Sequence, residues 1–172
     1  MDVKVKILLL ALLAIPVKWA QIRRAADPQF AALWLYDGAW HVTRTGAGSA
    51  TKPDKLVNEC AGLGQYFACA QNVNGNPGGL LVFIPSDKQG SYYTQTIATD
   101  GRATGKADLQ ISGDHWIFSS RWQQENGKIV FYRTVNIFSG KNRIHFEQSE
   151  SPDGTHWTLK NSGDEVRVTA KR

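Results

Sequence analysis

His115-Trp116-Ile117-Phe118-Ser119-Ser120-Arg121-Trp122-Gln123-Gln124-Glu125-Asn126-Gly127-Lys128-Ile129-Val130-Phe131-Tyr132-Arg133-Thr134-Val135-Asn136-Ile137-Phe138 decides the fold. Two runs rich in aromatic and β-branched residues flank Asn126-Gly127, a pair that accepts the positive φ of a tight hairpin turn. Side chains alternate between the two faces of a strand. The first run therefore sets Trp116, Phe118 and Trp122 on one face, and His115, Ser119 and Arg121 on the other. The second gathers Ile129, Phe131, Val135 and Ile137 on one face, with Arg133 in their midst. Both read as half-buried strands with one wet side.

The same rhythm extends outward in both directions. Turn signals recur at 45–48, 74–79, 86–90, 100–101, 112–114, 125–128, 139–142 and 151–154, each holding residues that preset or tolerate a turn. Between them lie strand candidates at 40–44, 55–60, 65–71, 80–85, 92–99, 103–111, 115–124, 129–138, 143–149, 156–160 and 165–169. About ten short strands at even spacing predict an all-β sandwich or barrel. No helical crossover separates them, so the sheet is expected to be antiparallel and connected in sequence order. A closed up-and-down barrel removes the edges that so many strands would otherwise expose. One short helix is expected ahead of the first strand. It starts at Asp27-Pro28, an N-cap followed by a proline at the first helical position, and ends near Tyr36-Asp37-Gly38.

Length and composition fix the class. A chain of 172 residues with 42% hydrophobic and 20% charged residues holds one domain and a real core. Lys4 and Lys6 precede the apolar run 7–15, the pattern of a secretory leader and too short for a spanning helix. Residues 1–20 are therefore expected to be a signal peptide, and 27–170 the barrel domain. The product would be secreted or periplasmic, with no membrane span in the mature chain. Loss of the leader lowers the net charge of +5 to +3. The remaining cations are scattered, which argues against nucleic acid. Cys60 and Cys69 flank the turn of a predicted hairpin, and an oxidising compartment favours a disulfide between them.

Gly38-Ala39-Trp40 opens the first strand directly after the short helix, and resembles the G-x-W motif of the lipocalins and the wider calycin superfamily. The segment Ser151-Pro152-Asp153-Gly154-Thr155-His156-Trp157 is similar to the S-x-D-G-x-x-W turn of bacterial calycin-like barrels. The resemblance covers roughly 30–170. The close strand spacing favours the bacterial branch, a distant relative of nitrobindin and the fatty-acid-binding proteins. It implies a barrel whose end is plugged by Trp40, with Arg167 from the last strand packed over that ring. It also implies an interior cavity for a small apolar or amphipathic ligand. Cavity arginines of fatty-acid-binding relatives hold carboxylates in a forked pair of hydrogen bonds, for which guanidinium is suited. Arg133 is the matching candidate, with Tyr92 or Tyr93 helping. The lining expected from this reading is Trp116, Phe118, Phe131, Arg133 and Tyr92. The alternative is an Arg133 that faces solvent while Tyr132 and Phe138 turn inward.

No catalytic set emerges. The chain lacks a G-x-S-x-G elbow, a P-loop and an H-E-x-x-H pair. Glu147 and Glu150 differ by an odd number and fall on opposite faces of a regular strand. No His or Cys spacing supplies a zinc site. No resident cofactor is expected. The nitrobindin likeness raises haem on one histidine as an alternative, although His41, His115, His145 and His156 match no ligand motif. A further alternative is an envelope interaction or structural protein with a filled core. The oligomeric expectation is a monomer or weak homo-oligomer.

Overall fold

The computed structural model describes residues 27–45 and 52–168. The expected leader at 1–20 and the last residues of the expected domain range lie outside them. Ten strands follow one another: β1 (Gly38–Thr45), β2 (Asp54–Leu63), β3 (Tyr66–Val73), β4 (Asn76–Pro85), β5 (Ser91–Ile97), β6 (Ala103–Ser112), β7 (His115–Gln123), β8 (Ile129–Ser139), β9 (Arg143–Ser151) and β10 (Thr158–Arg167). Each pairs antiparallel with its sequence neighbours, and β10 pairs with β1, so the sheet closes into an up-and-down barrel. The β7–β8 hairpin pairs His115 with Ile137 and Gln123 with Ile129, turning at Asn126-Gly127. Gly127 has φ of 80°, as that turn requires.

Two strand candidates, 156–160 and 165–169, prove to be one strand. Residues 161–164, left between those two candidates, run inside β10 with a register irregularity between Leu159 and Asn161. Gly163 is there for close approach. A Cβ at that position would collide with the Thr43 carbonyl of β1 and come 2.7 Å from the Phe146 ring of β9.

The short helix ahead of β1 takes the form of two 3-10 turns, Pro28–Phe30 and Leu33–Tyr36. The Asp27 side chain caps the first by accepting from the Gln29 amide at 3.1 Å. Together they plug one end of the barrel. Phe30, Leu33 and Tyr36 are buried against an aromatic and aliphatic ring from the strands: Trp40, Phe67, Phe83, Tyr92, Leu109, Trp116, Phe138 and Ile144. Tyr36 meets the Trp116 ring edge-to-face at 5.0 Å between centroids, and Trp116 meets Phe138 at 4.4 Å. Burying each such side chain is worth roughly 1.5–3 kcal/mol, so this end is the stable base of the molecule. The opposite end is the mouth.

Candidate functional site

Paired residues in adjacent antiparallel strands share a face, so the register sorts every side chain into inner or outer. Phe118 pairs with Thr134, and Thr134 with Gln148; all three line the interior. Ser119 pairs with Arg133, and Arg133 with Ser149, on the outside.

The interior beyond the plugged base holds a cavity of about 440 Å³. Its apolar wall comes from Leu56, Cys69, Leu81, Ala107 and Phe118. Polar residues outnumber these in the lining. Asn58, Gln71, Thr94, Thr96, Ser120, Thr134, Asn136, Gln148 and Glu165 all contribute, with Tyr36 rising from the plug.

A hydrogen-bond chain fixes the floor. The Tyr36 hydroxyl accepts from Asn136 Nδ2, at 2.5 Å. The Tyr36 carbonyl accepts from Trp40 Nε1 at 3.0 Å and from Asn58 Nδ2 at 3.2 Å. Asn58 Oδ1 in turn accepts from Gln71 Nε2 at 3.1 Å. Buried polar groups are costly unless satisfied, and this chain satisfies them while holding the plug to β2, β3 and β8. Burial, with Glu165 nearby, holds the Tyr36 phenol far above its ordinary pKa, so it stays protonated.

Glu165 differs from these groups. Burial pushes its carboxyl up to about 7, and Arg44 pulls only partly against that. Its Oε2 is enclosed and finds no donor among the described residues. Arg44 itself forms an ion pair with Asp54.

Of the expected lining, Phe118 lies on the cavity wall. Trp116 lies one layer deeper, in the base, and is buried. Tyr92 belongs to the same base, and its hydroxyl donates to the Gln29 carbonyl of the plug, which ties it to structure. Phe131 and Arg133 do not line the cavity, and this corrects the inward placement. The inner face of β8 carries Thr134, Asn136 and Phe138 instead. The outer stripe of β8 is apolar for another reason: the turn after β9 folds over it from outside. Gly154 lies beside the Phe131 ring, where a Cβ would stand in ordinary contact at 3.7 Å. The Arg133 guanidinium carbon lies 4.2 Å from the Trp157 ring centre. Ser151 and Asp153 lock that turn, the Asp153 carboxylate accepting from the Thr155 and His156 amides at 2.8 and 2.9 Å.

Arg167 lies over Trp40, its guanidinium carbon 4.2 Å from the ring centre. Cys60 and Cys69 pair directly across the β2–β3 ladder and form a disulfide. Their position beside the cavity is a consequence of register, since Cys69 faces inward.

Sequence reasoning missed the polar wall. Glu165 had a usable signal. It stands two residues from Arg167, so the alternation that turns Arg167 inward turns Glu165 inward too. Tyr36 and Asn136 had none, because their roles depend on how the plug meets β8.

None of the four histidines lines the cavity. His41 is exposed on β1, His115 contacts Asp114 at 2.7 Å, His145 contacts Asp164 at 3.3 Å, and His156 contacts Asp153 at 2.7 Å. An interior haem held through a histidine does not fit this donor set. Among the described residues no group of three His, Cys, Asp or Glu side chains is placed to hold a metal ion, and no helix is long and apolar enough to cross a membrane.

No family model matches the chain, and no curated protein matches it. Seven solved chains do. One is the crystal structure of Rv2717c from M. tuberculosis, similar at 14% identity over 83% of this chain and 99% of that one, with a TM-score of 0.49.

Proposed function

We propose that the protein is an exported, calycin-like barrel that binds one small amphipathic molecule in its interior. The single observation that carries this is the interior cavity of about 440 Å³ that adjoins the plug at Tyr36. That volume lies within the range of pockets for small ligands. A core filled for structural purposes would bring apolar side chains to this layer, as the base does. Here amides, hydroxyls and a carboxyl converge instead, with Phe118 and Leu81 offering apolar contact. The lining favours an amphipathic guest over a purely apolar one, since each buried polar group needs a partner.

Export is supported by the leader-like 1–20 segment and by the Cys60–Cys69 disulfide, which an oxidising compartment maintains. Ala107 faces the cavity opposite Thr94 across the β5–β6 ladder. Native mass spectrometry and organic extraction of purified protein should reveal a small molecule bound one to one. Ala107→Phe, with its melting profile retained, should lose it. An empty wild-type protein in repeated preparations, with no small molecule from a chemically broad library binding, defeats the reading.

A further inference from the structure

We infer that the cavity is built for a molecule carrying a protonated amine, with Glu165 as its counter-charge and an aromatic mouth for its ring. This deepens the proposed binding function and rests on it. Among the cavity residues Glu165 is the sole acid and Lys106 the sole base. Lys106 pairs with Gln95, which sets its side chain on the outer face.

The charged and titratable groups around Glu165 form no hydrogen bond or ion pair with it. On β1, Arg44 lines the adjoining pocket with Glu165 and pulls its pKa down, but its ion pair is to Asp54 of β2, in the same pocket. On β10, Arg167 donates to the Leu35 carbonyl at 2.7 Å and the Lys141 carbonyl at 2.8 Å, and covers Trp40. From the plug comes the neutral phenol of Tyr36. From β9 come Ile144 and Phe146, which carry no charge. No salt bridge within 4.0 Å reaches the Glu165 carboxyl, and its Oε2 has no hydrogen-bond donor among the described residues. A buried carboxylate whose one nearby cation is paired with another acid, and whose own oxygen lacks a donor, is costly. A guest ammonium would supply both the charge and the missing donors, in a charge-assisted hydrogen bond of the stronger kind.

The mouth adds a second feature. Tyr132 pairs with Ser120, and Trp122 with Val130, so both aromatic side chains stand on the inner face of the β7–β8 hairpin. They are diagonal neighbours across that ladder. Trp122 is 60% exposed and Tyr132 36% exposed among the described residues. Two rings on the inner face at the rim offer apolar contact above the cavity.

Calorimetric titration of the full chain tests this with two probes that share a naphthylethyl body and carry opposite charge, 2-(1-naphthyl)ethylamine and 3-(1-naphthyl)propionate. At about pH 8.5 Glu165 is ionised, and the ammonium probe should bind at least tenfold tighter than the carboxylate. Its affinity should fall roughly tenfold at about pH 5.5, where Glu165 is neutral and the probe is still charged, with proton release on binding at intermediate pH. Glu165→Gln should erase both the charge preference and the pH dependence. Trp122→Ala should weaken both probes alike.

Equal affinity for the two probes, lost in Ala107→Phe, overturns the amine inference and leaves the small-molecule reading standing. A pH dependence that survives Glu165→Gln also overturns it. Binding of neither probe, with no co-purified molecule, overturns both. The charge preference is read on the wild-type chain, so it does not depend on any variant folding.

Discussion

Arg167 and Trp40 join the last strand to the first, and their contact closes the barrel over its plug. They are register partners across β1 and β10, and the guanidinium carbon stands 4.2 Å from the indole centre. The same guanidinium donates to the Leu35, Asp37 and Lys141 carbonyls. It therefore satisfies carbonyls at the end of the plug while covering the Trp40 ring of β1.

Removing that fork should loosen the plug. Arg167→Met is expected to cost about 2–4 kcal/mol in urea unfolding, from lost charged hydrogen bonds and the cation–π contact. Arg167→Lys should recover only part, because an ammonium cannot reach three carbonyls from the plane of the ring. A loss below about 0.5 kcal/mol for Arg167→Met would show the contact to be incidental.

The disulfide closes a short hairpin. Cys60→Ser with Cys69→Ser should lower stability by about 2–3 kcal/mol on the chain-entropy model. The melting temperature should drop by roughly 5–10 °C. Adding reductant to the wild-type protein should give a similar shift, and an unchanged melt in both cases would contradict the estimate.

Glu165 should give the fold a pH dependence of definite sign. Its folded pKa of about 7 stands above the ordinary 4.5. The folded state therefore holds a proton that the unfolded chain has released between those values. Stability from this group is full below about pH 4.5, declines as pH rises, and is gone above about pH 7. The loss is on the order of 3 kcal/mol. Denaturant midpoints from pH 5 to 8 should show this slope in the wild type, and Glu165→Gln should flatten it.

Phe131 and Arg133 should matter to stability and not to binding. Phe131→Ala is expected to cost about 1–3 kcal/mol by uncovering the external turn at Gly154. Arg133→Met should leave the affinity for the naphthyl ammonium probe within about twofold, since it lies outside the barrel. A large loss of affinity in Arg133→Met would return this residue to the interior.

Gly163→Ala should be among the most damaging small substitutions. The added carbon has the Thr43 carbonyl and the Phe146 ring in its way. A cost of about 2–4 kcal/mol is expected from the forced separation of β1 and β10, read by thermal melting.

The strands themselves were written in the sequence wherever alternation and turn chemistry agreed. The β7–β8 hairpin is the clearest case, since Asn126-Gly127 and two period-2 runs each specify the same pairing. At β10 the two signals conflicted: Ser162-Gly163 carries turn chemistry but serves a close strand crossing, and composition does not distinguish those uses. On β8 the apolar stripe of Ile129, Phe131, Val135 and Ile137 is only partly covered, and from outside the barrel. Phe131 and Arg133 are covered by the Ser151–Trp157 turn rather than by the barrel interior, and a stripe buried from outside has the same period as one buried from inside.

What the sequence by itself determined was local: the strand segments, their turns and antiparallel order, and the hairpin that brings Cys60 opposite Cys69. Each depends on neighbours a few residues apart or on a single recurring pattern. What only the tertiary structure decided was which face of each strand looks inward, and so the polar character of the cavity with Glu165 in its wall. Period-2 alternation divides a strand into two faces without naming them; closure of ten strands around the plug is the event that tells inner from outer.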